Sequence, residues 1–322
     1  MQRDFHYDII YALAKEAGYG VSDANIIAHA SQYVDDNTDR EYTVSDSSGE
    51  FYIGFPEKIG RSGNFFFPII TQAEDITSFK LSIQRYVYAP FHFIPGDNTV
   101  EIKGKKNPLC TTQGCRNAEA LVLSARKSKD IYRIGVALHA YADTFSHERF
   151  SAFNEDWNKV YTSFIGGLPP NIGHAEVFHK PDEISTTWED KRLKREERTI
   201  NNRKRALDAA EKIFGLLNKK GKVSWEDVKS DFERFMNAGD SSERIQLIKD
   251  KYPEIEPYDE DRWLNQALKV TRDTSDIPSD DDPLSPGSPG PRPRFVEIEA
   301  EDCNADWFRF QNAAKKQLAM VL

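Results

Sequence analysis

One short segment constrains this chain of 322 residues more than any other part of it. Residues 134–147 read Ile-Gly-Val-Ala-Leu-His-Ala-Tyr-Ala-Asp-Thr-Phe-Ser-His, so ionisable side chains interrupt an otherwise apolar helix. His139, Asp143 and His147 are spaced four residues apart and therefore project from one helical face. Burying three ionisable groups together requires specific compensation, such as bound cations. The segment predicts a helical fold that encloses a polar site.

The spacing within this segment also indicates how cations would be held. At about 1.5 Å of rise per residue, the three side chains span about 12 Å, which is too far for one small ion. Neighbouring members can each chelate an ion, and the central carboxylate can bridge two ions about 3.5–4 Å apart. The alternative is a hydrogen-bonded His–Asp–His stripe that binds no metal.

The distribution of histidine places the expected site in the first part of the chain, because none of the seven histidines lies in the last 143 residues. Histidines and carboxylates occur near the ends of predicted helices in Asp-Phe-His-Tyr-Asp at 4–8, Ala-His at 28–29, Tyr-Val-Asp-Asp at 33–36 and Phe-His-Phe-Ile-Pro at 91–95. Taken singly, each side chain fits a core or capping role. Together with residues 134–147, they favour metal ligation.

A further segment, residues 173–183, contains His174, His179 and three carboxylates just after a turn. Pro181 argues against a regular helix after His179. Spacing alone does not choose between the two histidines, and we favour His174 with Asp182 as the ligand pair.

Hydrophobic periodicity predicts a mainly α fold, a single all-helical domain with long loops. The predicted helices cover residues 5–17, 22–35, 68–90, 117–127, 130–153, 189–219, a segment from 224, 241–250, 261–272 and a segment from 305. Residues 1–272 form the predicted helical metal-binding domain. Residues 273–294, rich in Pro, Ser and Asp, are predicted to be a disordered linker. Residues 295–322 form a C-terminal segment whose helix is expected to pack back on the domain or on a partner.

Composition excludes several classes of function. A net charge of −9 argues against broad, non-specific binding to nucleic-acid backbone. No apolar run approaches the about 20 residues that span a bilayer. The first residues lack the apolar region of a signal peptide, so the sequence predicts a cytoplasmic protein. Three cysteines are too few for a disulfide framework.

The motifs between about residues 4 and 183 resemble the zinc-dependent phospholipase C superfamily, which includes the single-strand-specific zinc nucleases of fungi and plants. The early histidine of that family corresponds to His6, and its aromatic-small-Asp motif is similar to Tyr33-Val34-Asp35, with Asp36 as the alternative. Its His-aromatic-Ile motif matches residues 92–94, and its His-x3-Asp motif matches residues 139–143. A closer resemblance is to a bacterial family that shares Gln-Tyr-x-Asp-Asp, Phe-His-Phe-Ile-Pro-Gly and Leu-His-x-Tyr-Ala-Asp-Thr and has no established activity.

This resemblance implies an all-helical fold of the phospholipase C type that holds two or three zinc ions, with Mn²⁺ or another divalent ion as the alternative. The implied ligands are His6, Asp35, His92, His139, Asp143, His147, His174 and Asp182. The family also uses a processed N-terminal Trp, whereas this chain begins Met-Gln-Arg, and Asp4 is the candidate replacement. A second departure is that the family's last histidine normally has a carboxylate four residues later, where this chain has Phe178.

The resemblance further implies a metal-dependent phosphodiester hydrolase that acts on a phospholipid or a nucleic acid. Asp35 or Asp36 would then align the attacking water or take its proton. Two alternatives from other classes stay open. One is a metal-dependent hydrolase that cleaves a different type of bond. The other is a non-catalytic, metal-stabilised module whose C-terminal helix binds a protein partner through Trp307 and Phe310.

Overall fold

The computed structural model describes residues 1–38, 68–73, 80–96, 100–102, 104–161, 171–218, 221, 223–267 and 305–322. Within these residues the architecture is mainly α, which confirms the predicted fold class. The described residues also contain two small antiparallel strand pairs. The predicted linker at 273–294 lies outside the described residues.

Helix α1 begins as a π-helical stretch and continues as a regular helix, and α3 contains a similar π-helical stretch in its middle. The helices are α1 (Asp4–Ile9 and Ile10–Glu16), α2 (Val21–Asp36), α3 (Leu81–Ile83, Gln84–Tyr88 and Ala89–Phe91), α4 (Arg116–Ser128), α5 (Ile131–Ser146), α6 (Asn202–Leu217), α7 (Trp225–Met236), α8 (Ser241–Lys251), α9 (Arg262–Ala267) and α10 (Asp306–Val321). The strand pairs are β1 (Glu101–Ile102) with β2 (Lys105–Lys106), and β3 (Thr187–Glu189) with β4 (Thr199–Asn201).

Helix α5 lies at the centre of the fold and packs against α2, α4, α6 and α10. It begins at the N-cap Asp130, whose carboxylate accepts hydrogen bonds from the amides of Tyr132 and Arg133. Every residue from Ile134 to Ser146 is buried. This explains why apolar residues occur on all sides of the helix and are not confined to one face. The polar side chains on this helix are therefore enclosed by the fold.

Helices α2 and α5 approach each other closely at Gly135. A Cβ atom at this position would lie 2.5 Å from the carbonyl oxygen of Ile27 and 2.6 Å from the Cβ of Ala30. Both are backbone-fixed atoms that cannot move aside. The close approach brings the C-terminal end of α2, which carries Asp35, against the part of α5 that carries His139.

The π-helical start of α1 is anchored by a buried ion pair between Asp4 and Arg244 of α8. Both side chains are almost fully buried, and the Arg244 Nε also donates to the carbonyl of Phe235 at 3.0 Å. A buried charge requires such a partner. The pair fixes the segment that carries His6 against the C-terminal half of the described chain.

Three predicted helices differ from those observed. Of the helix predicted at 68–90, residues 68–73 are not helical, since the amide of Ile69 pairs with a side chain of α10 instead of a helical carbonyl, and the described helix begins at Leu81. The helix predicted at 130–153 ends at Ser146, where the His147 ring turns to the carbonyl of His92. The helix predicted at 189–219 begins at Asn202.

The charged stretch at 191–198 lies within the helix predicted at 189–219, but it forms turns instead, and most of its side chains are exposed. Arg192 is buried and forms a 2.7 Å ion pair with Asp190, and its guanidinium also donates to the carbonyls of Arg149 and Trp157. These contacts fold the stretch into turns between β3 and β4. The side chain of Asn201 then accepts from the amide of Lys204 and starts α6.

The C-terminal helix α10 packs back on the domain, against α5, α9 and α3. Trp307 and Phe310 are 2% and 0% exposed, respectively, and belong to one apolar cluster with Trp263, Phe91 and Val136. The expectation that Trp307 and Phe310 dock a separate protein partner was therefore wrong. None of the helices in the described part of the chain combines the length and the apolar character that a membrane span requires.

Candidate metal centre

The structure brings together all eight side chains that the sequence singled out as metal ligands. Within the described residues they form three groups that could each hold an ion, with ligand atoms within 4.8 Å of one another. These are the Asp35 group (Asp35, His92, His139), the His6 group (His6, His139, Asp143) and the His174 group (His147, His174, Asp182). The first two groups share His139, so they are adjacent.

Asp143 lies at the junction of the three groups. Its Oδ1 is 3.0 Å from His6 Nε2, while its Oδ2 is 3.2 Å from both His92 Nδ1 and His139 Nε2 and 3.6 Å from His147 Nδ1. Burial alone would raise the pKa of this carboxyl, but the surrounding positive and imidazole groups hold it well below its usual range. Asp143 is thus an anion at the one position from which two ions could be bridged.

The histidine rings are oriented by backbone carbonyls. His92 Nε2 lies 2.8 Å from the carbonyl of Thr71, His147 Nδ1 2.8 Å from that of His92, and His174 Nδ1 2.8 Å from that of Phe178. A carbonyl can only accept, so each of these nitrogens must carry the proton. The opposite nitrogens of His92 and His174 then offer a lone pair to their ligand groups, which is the arrangement that metal-binding histidines adopt. In His147, burial alone would lower the pKa, but Asp143 and Asp182 raise it, and its Nε2 lies 3.0 Å from Asp182 Oδ1.

The rings of His6 and His139 stack with centroids 3.9 Å apart. Burial, together with the neighbouring His139, lowers the pKa of His6 well below its usual value, so this imidazole is neutral at pH 7. The Nδ1 atoms of both rings are buried and make no hydrogen bond among the described residues. Neutral imidazoles beside carboxylates, with no thiolate, are a donor set that suits zinc.

Sequence reasoning missed the contribution of Met1 to this site. The amino nitrogen of Met1 lies 2.5 Å from Asp143 Oδ1 and 3.3 Å from Asp182 Oδ1. Burial alone would lower the pKa of this amine, but Asp143 and Asp182 raise it to about 11. Asp4, the expected replacement for the family's N-terminal ligand, is instead paired with Arg244. The two carboxylates therefore face a positive group, which is also what a metal cation would provide.

Comparison with known families gives a match along the full chain, residues 1–322, to a model described as a family of unknown function, DUF6765. The chain belongs to DUF6765. No curated protein and no solved structure matches it. The family description carries no activity, so the chemistry of this DUF6765 chain has to be inferred from the geometry of its site.

The two acidic residues that end α2 in this DUF6765 chain have different surroundings. Asp35 Oδ1 lies 3.5 Å from His139 Nε2 and 3.7 Å from His92 Nδ1, and the side chain is 26% exposed. Its partial burial, beside Asp143, raises the pKa of Asp35 to about 7. Asp36 instead accepts hydrogen bonds from Gln32 and Tyr258 and lies outside the three groups. The geometry favours Asp35 over Asp36 as the residue that acts in the site.

Two of the seven histidines also lie outside the three groups. His29 is fully buried, with its ring 3.9 Å from that of Trp263 and 4.9 Å from that of Tyr258, and burial lowers its pKa to about 3. His179 is exposed, whereas His174 Nε2 lies 3.3 Å from Asp182 Oδ2. The structure thus pairs His174 with Asp182, as the sequence favoured.

The ring of Phe93 packs against the His174 group. Its ring stacks on that of His147 with centroids 4.5 Å apart and is 7% exposed, so core packing is its role. A Cβ atom at Gly173 would lie 2.3 Å from this ring, and the residue adopts a φ of +51°. Glycine is therefore required for the loop to cross Phe93 and deliver His174.

Proposed function

We propose that this chain is a zinc-dependent phosphodiester hydrolase. The observation that carries the proposal is the junction at Asp143, where one buried carboxylate contacts imidazoles of all three ligand groups. Sites in which adjacent metal ions share a carboxylate are typical of enzymes that hydrolyse phosphate esters. The resemblance of the motifs to the zinc-dependent phospholipase C superfamily supports the same chemistry. Zinc is the ion that the donor set favours, with Mn²⁺ as the alternative.

The eight ligand side chains would hold two or three ions. Bound zinc would supply positive charge to the phosphoryl oxygens and would make hydroxide accessible near neutral pH. Asp35 is the most exposed side chain of the Asp35 group, so it would align the attacking water or accept its proton. Asp36 is held by Tyr258, so it would support α2 instead of taking part in the reaction.

The chain carries a net charge of −9, yet two lysine ammonium groups lie close to one aromatic ring, that of Tyr161. Lys180, two residues before Asp182, places its Nζ 3.2 Å from the hydroxyl of Tyr161. The Nζ of Lys191 lies 5.2 Å from the centre of the same ring. Two ammonium groups at one ring would attract an anionic substrate such as a phosphodiester. The substrate class we propose is the phosphodiester of a phospholipid or of a nucleic acid.

The test is an assay of the full chain on bis-nitrophenyl phosphate, single-stranded DNA and phosphatidylcholine vesicles, with zinc and manganese supplied separately. We expect hydrolysis of at least one of the three, its loss after treatment with a chelator, and its recovery when zinc is returned. A metal-loaded protein that is inactive on all three substrates would contradict the proposed function. It would leave the non-catalytic, metal-stabilised module as the better description.

A further inference from the structure

Helix α10 reaches the candidate metal centre through buried hydrogen bonds that start at Gln311. The Gln311 Oε1 accepts from the amide of Ile69 at 2.8 Å, and its Nε2 donates to Asn37 Oδ1 at 3.0 Å. Asn37 in turn donates from Nδ2 to the carbonyl of Ile69 at 2.8 Å and to Thr71 Oγ1 at 3.2 Å. One glutamine of the C-terminal helix therefore fixes both Asn37, just after α2, and the segment that contains Thr71.

This series of hydrogen bonds ends on the ring of His92 and on the backbone carbonyl of Val34, the residue before Asp35. The carbonyl of Thr71 accepts from His92 Nε2 at 2.8 Å, which sets the orientation of that ring. The hydroxyl of Thr71 donates to the carbonyl of Val34 at 2.7 Å, directly before Asp35. Residues 68–73 form neither helix nor strand, and Thr71 is held by bonds to the end of α2: its amide donates to the carbonyl of Asn37 at 3.1 Å, beside the two side-chain hydrogen bonds described above. Fixing Asn37 therefore fixes Thr71.

The side chains that make these hydrogen bonds are polar although they are buried. Gln311 and Thr71 are 0% exposed and Asn37 is 3% exposed. An apolar side chain at 311 would fill the same space and would need no partner, whereas a buried amide is costly unless each of its groups is paired. Gln317 makes a second such contact, donating to the carbonyl of Pro90 at 2.9 Å, two residues before His92.

We propose that Gln311 is a positioning residue for the Asp35 group and that α10 is therefore part of the metal centre. The proposal rests on the zinc site proposed above. Through Asn37 and Thr71, Gln311 fixes the protonated nitrogen of His92 and leaves Nδ1 directed at the other ligands. Partners that orient ligands in this way tune metal affinity without touching the ion. The metal-binding unit then extends beyond residues 1–272 to include 306–321.

The test uses Gln311→Met in the full chain, because methionine keeps the volume and removes both hydrogen bonds. Competition with a chromogenic chelator would measure the zinc affinity of each ion. We expect one ion to bind about 10–100-fold more weakly and the others to be unchanged. A second readout needs no metal: the ¹⁵N–¹H resonances of the His92 ring in zinc-free protein should lose the signal of a hydrogen-bonded Nε2 proton.

The matched control is Leu318→Ala, which removes packing from the buried face of α10 without removing a hydrogen bond. It should lower the melting temperature and leave both zinc affinity and the His92 resonances unchanged. If Gln311→Met fails to fold, Gln311→Leu removes the same two hydrogen bonds without adding a charge, so a change of the same kind is expected.

Two results would overturn the proposal. One is a Gln311 variant with wild-type zinc affinity and wild-type His92 resonances. The other is an equal loss of zinc affinity in Leu318→Ala, which would mean that α10 acts only through general stability. A wild-type protein that binds zinc but hydrolyses nothing would refute the proposed function and leave this test intact. The ring resonances test the positioning of His92 even in a protein that binds no zinc.

Discussion

Asp143→Ala should abolish phosphodiester hydrolysis and remove more than one metal ion from the protein. Asp143 is 1% exposed, and its two oxygens contact imidazoles from all three ligand groups. Losing this anion deletes a ligand of adjacent ions. It also leaves their charges repelling each other where solvent screening is poor. Asp143→Asn should behave similarly, because the amide keeps the shape but loses the charge.

The measurement is zinc content by elemental analysis, together with the rate on the best substrate of the assay above. His179→Ala is the matched control, because His179 is exposed and lies outside the three groups. It should keep its zinc and nearly all of its activity. Full activity in Asp143→Ala would refute the site, since no other carboxylate of α5 lies between His139 and His147.

Gly135→Ala should destabilise the protein and weaken zinc binding at the Asp35 group. The new methyl group would meet the Ile27 carbonyl at 2.5 Å and the Ala30 Cβ at 2.6 Å, so α2 and α5 must separate. Overpacking of this kind costs about 1–3 kcal/mol, and here the colliding atoms are fixed by helical backbone. The separation would also move Asp35 on α2 away from His139 on α5.

Gly215→Ala is the control for this prediction. Gly215 is also inside a helix, but a Cβ atom there would meet nothing within 4 Å. Alanine should therefore be neutral or stabilise the protein by about 0.5–1 kcal/mol. Both variants are measured by denaturant unfolding and by zinc content. Equal stability of Gly135→Ala and wild type would show that the two helices do not meet as closely as described.

Most helices, and the residues that the fold gathers into the candidate metal centre, could be predicted from the sequence because both leave local signals. The four-residue spacing of His139, Asp143 and His147 on an apolar helix indicates a buried polar site without any knowledge of the rest of the chain. The helix predicted from 224 has an equally local signal, because Ser224 and Asp227 form a capping box at its start. The resemblance to motifs of the zinc-dependent phospholipase C superfamily then indicated the more distant candidates, His6 and His92.

Other features could not be predicted because they depend on contacts between distant residues. The pairing of Asp4 with Arg244 and the hydrogen bonds that join Gln311 to Asn37 each span more than 200 residues. His29 carries the same local signal as a ligand histidine, yet its environment is an aromatic core. Sequence spacing indicates which residues share a helix face, but it does not indicate which residues of the rest of the chain that face contacts.

Elemental analysis of the full chain, purified without a chelating tag, tests most directly whether this fold encloses a multinuclear metal centre. The three ligand groups around Asp143 lead us to expect two or three equivalents of transition metal, mainly zinc. Removing the metal with a chelator and returning zinc alone should restore the same number. Less than half an equivalent of any transition metal, even after incubation with zinc, would contradict the metal centre and the function proposed from it.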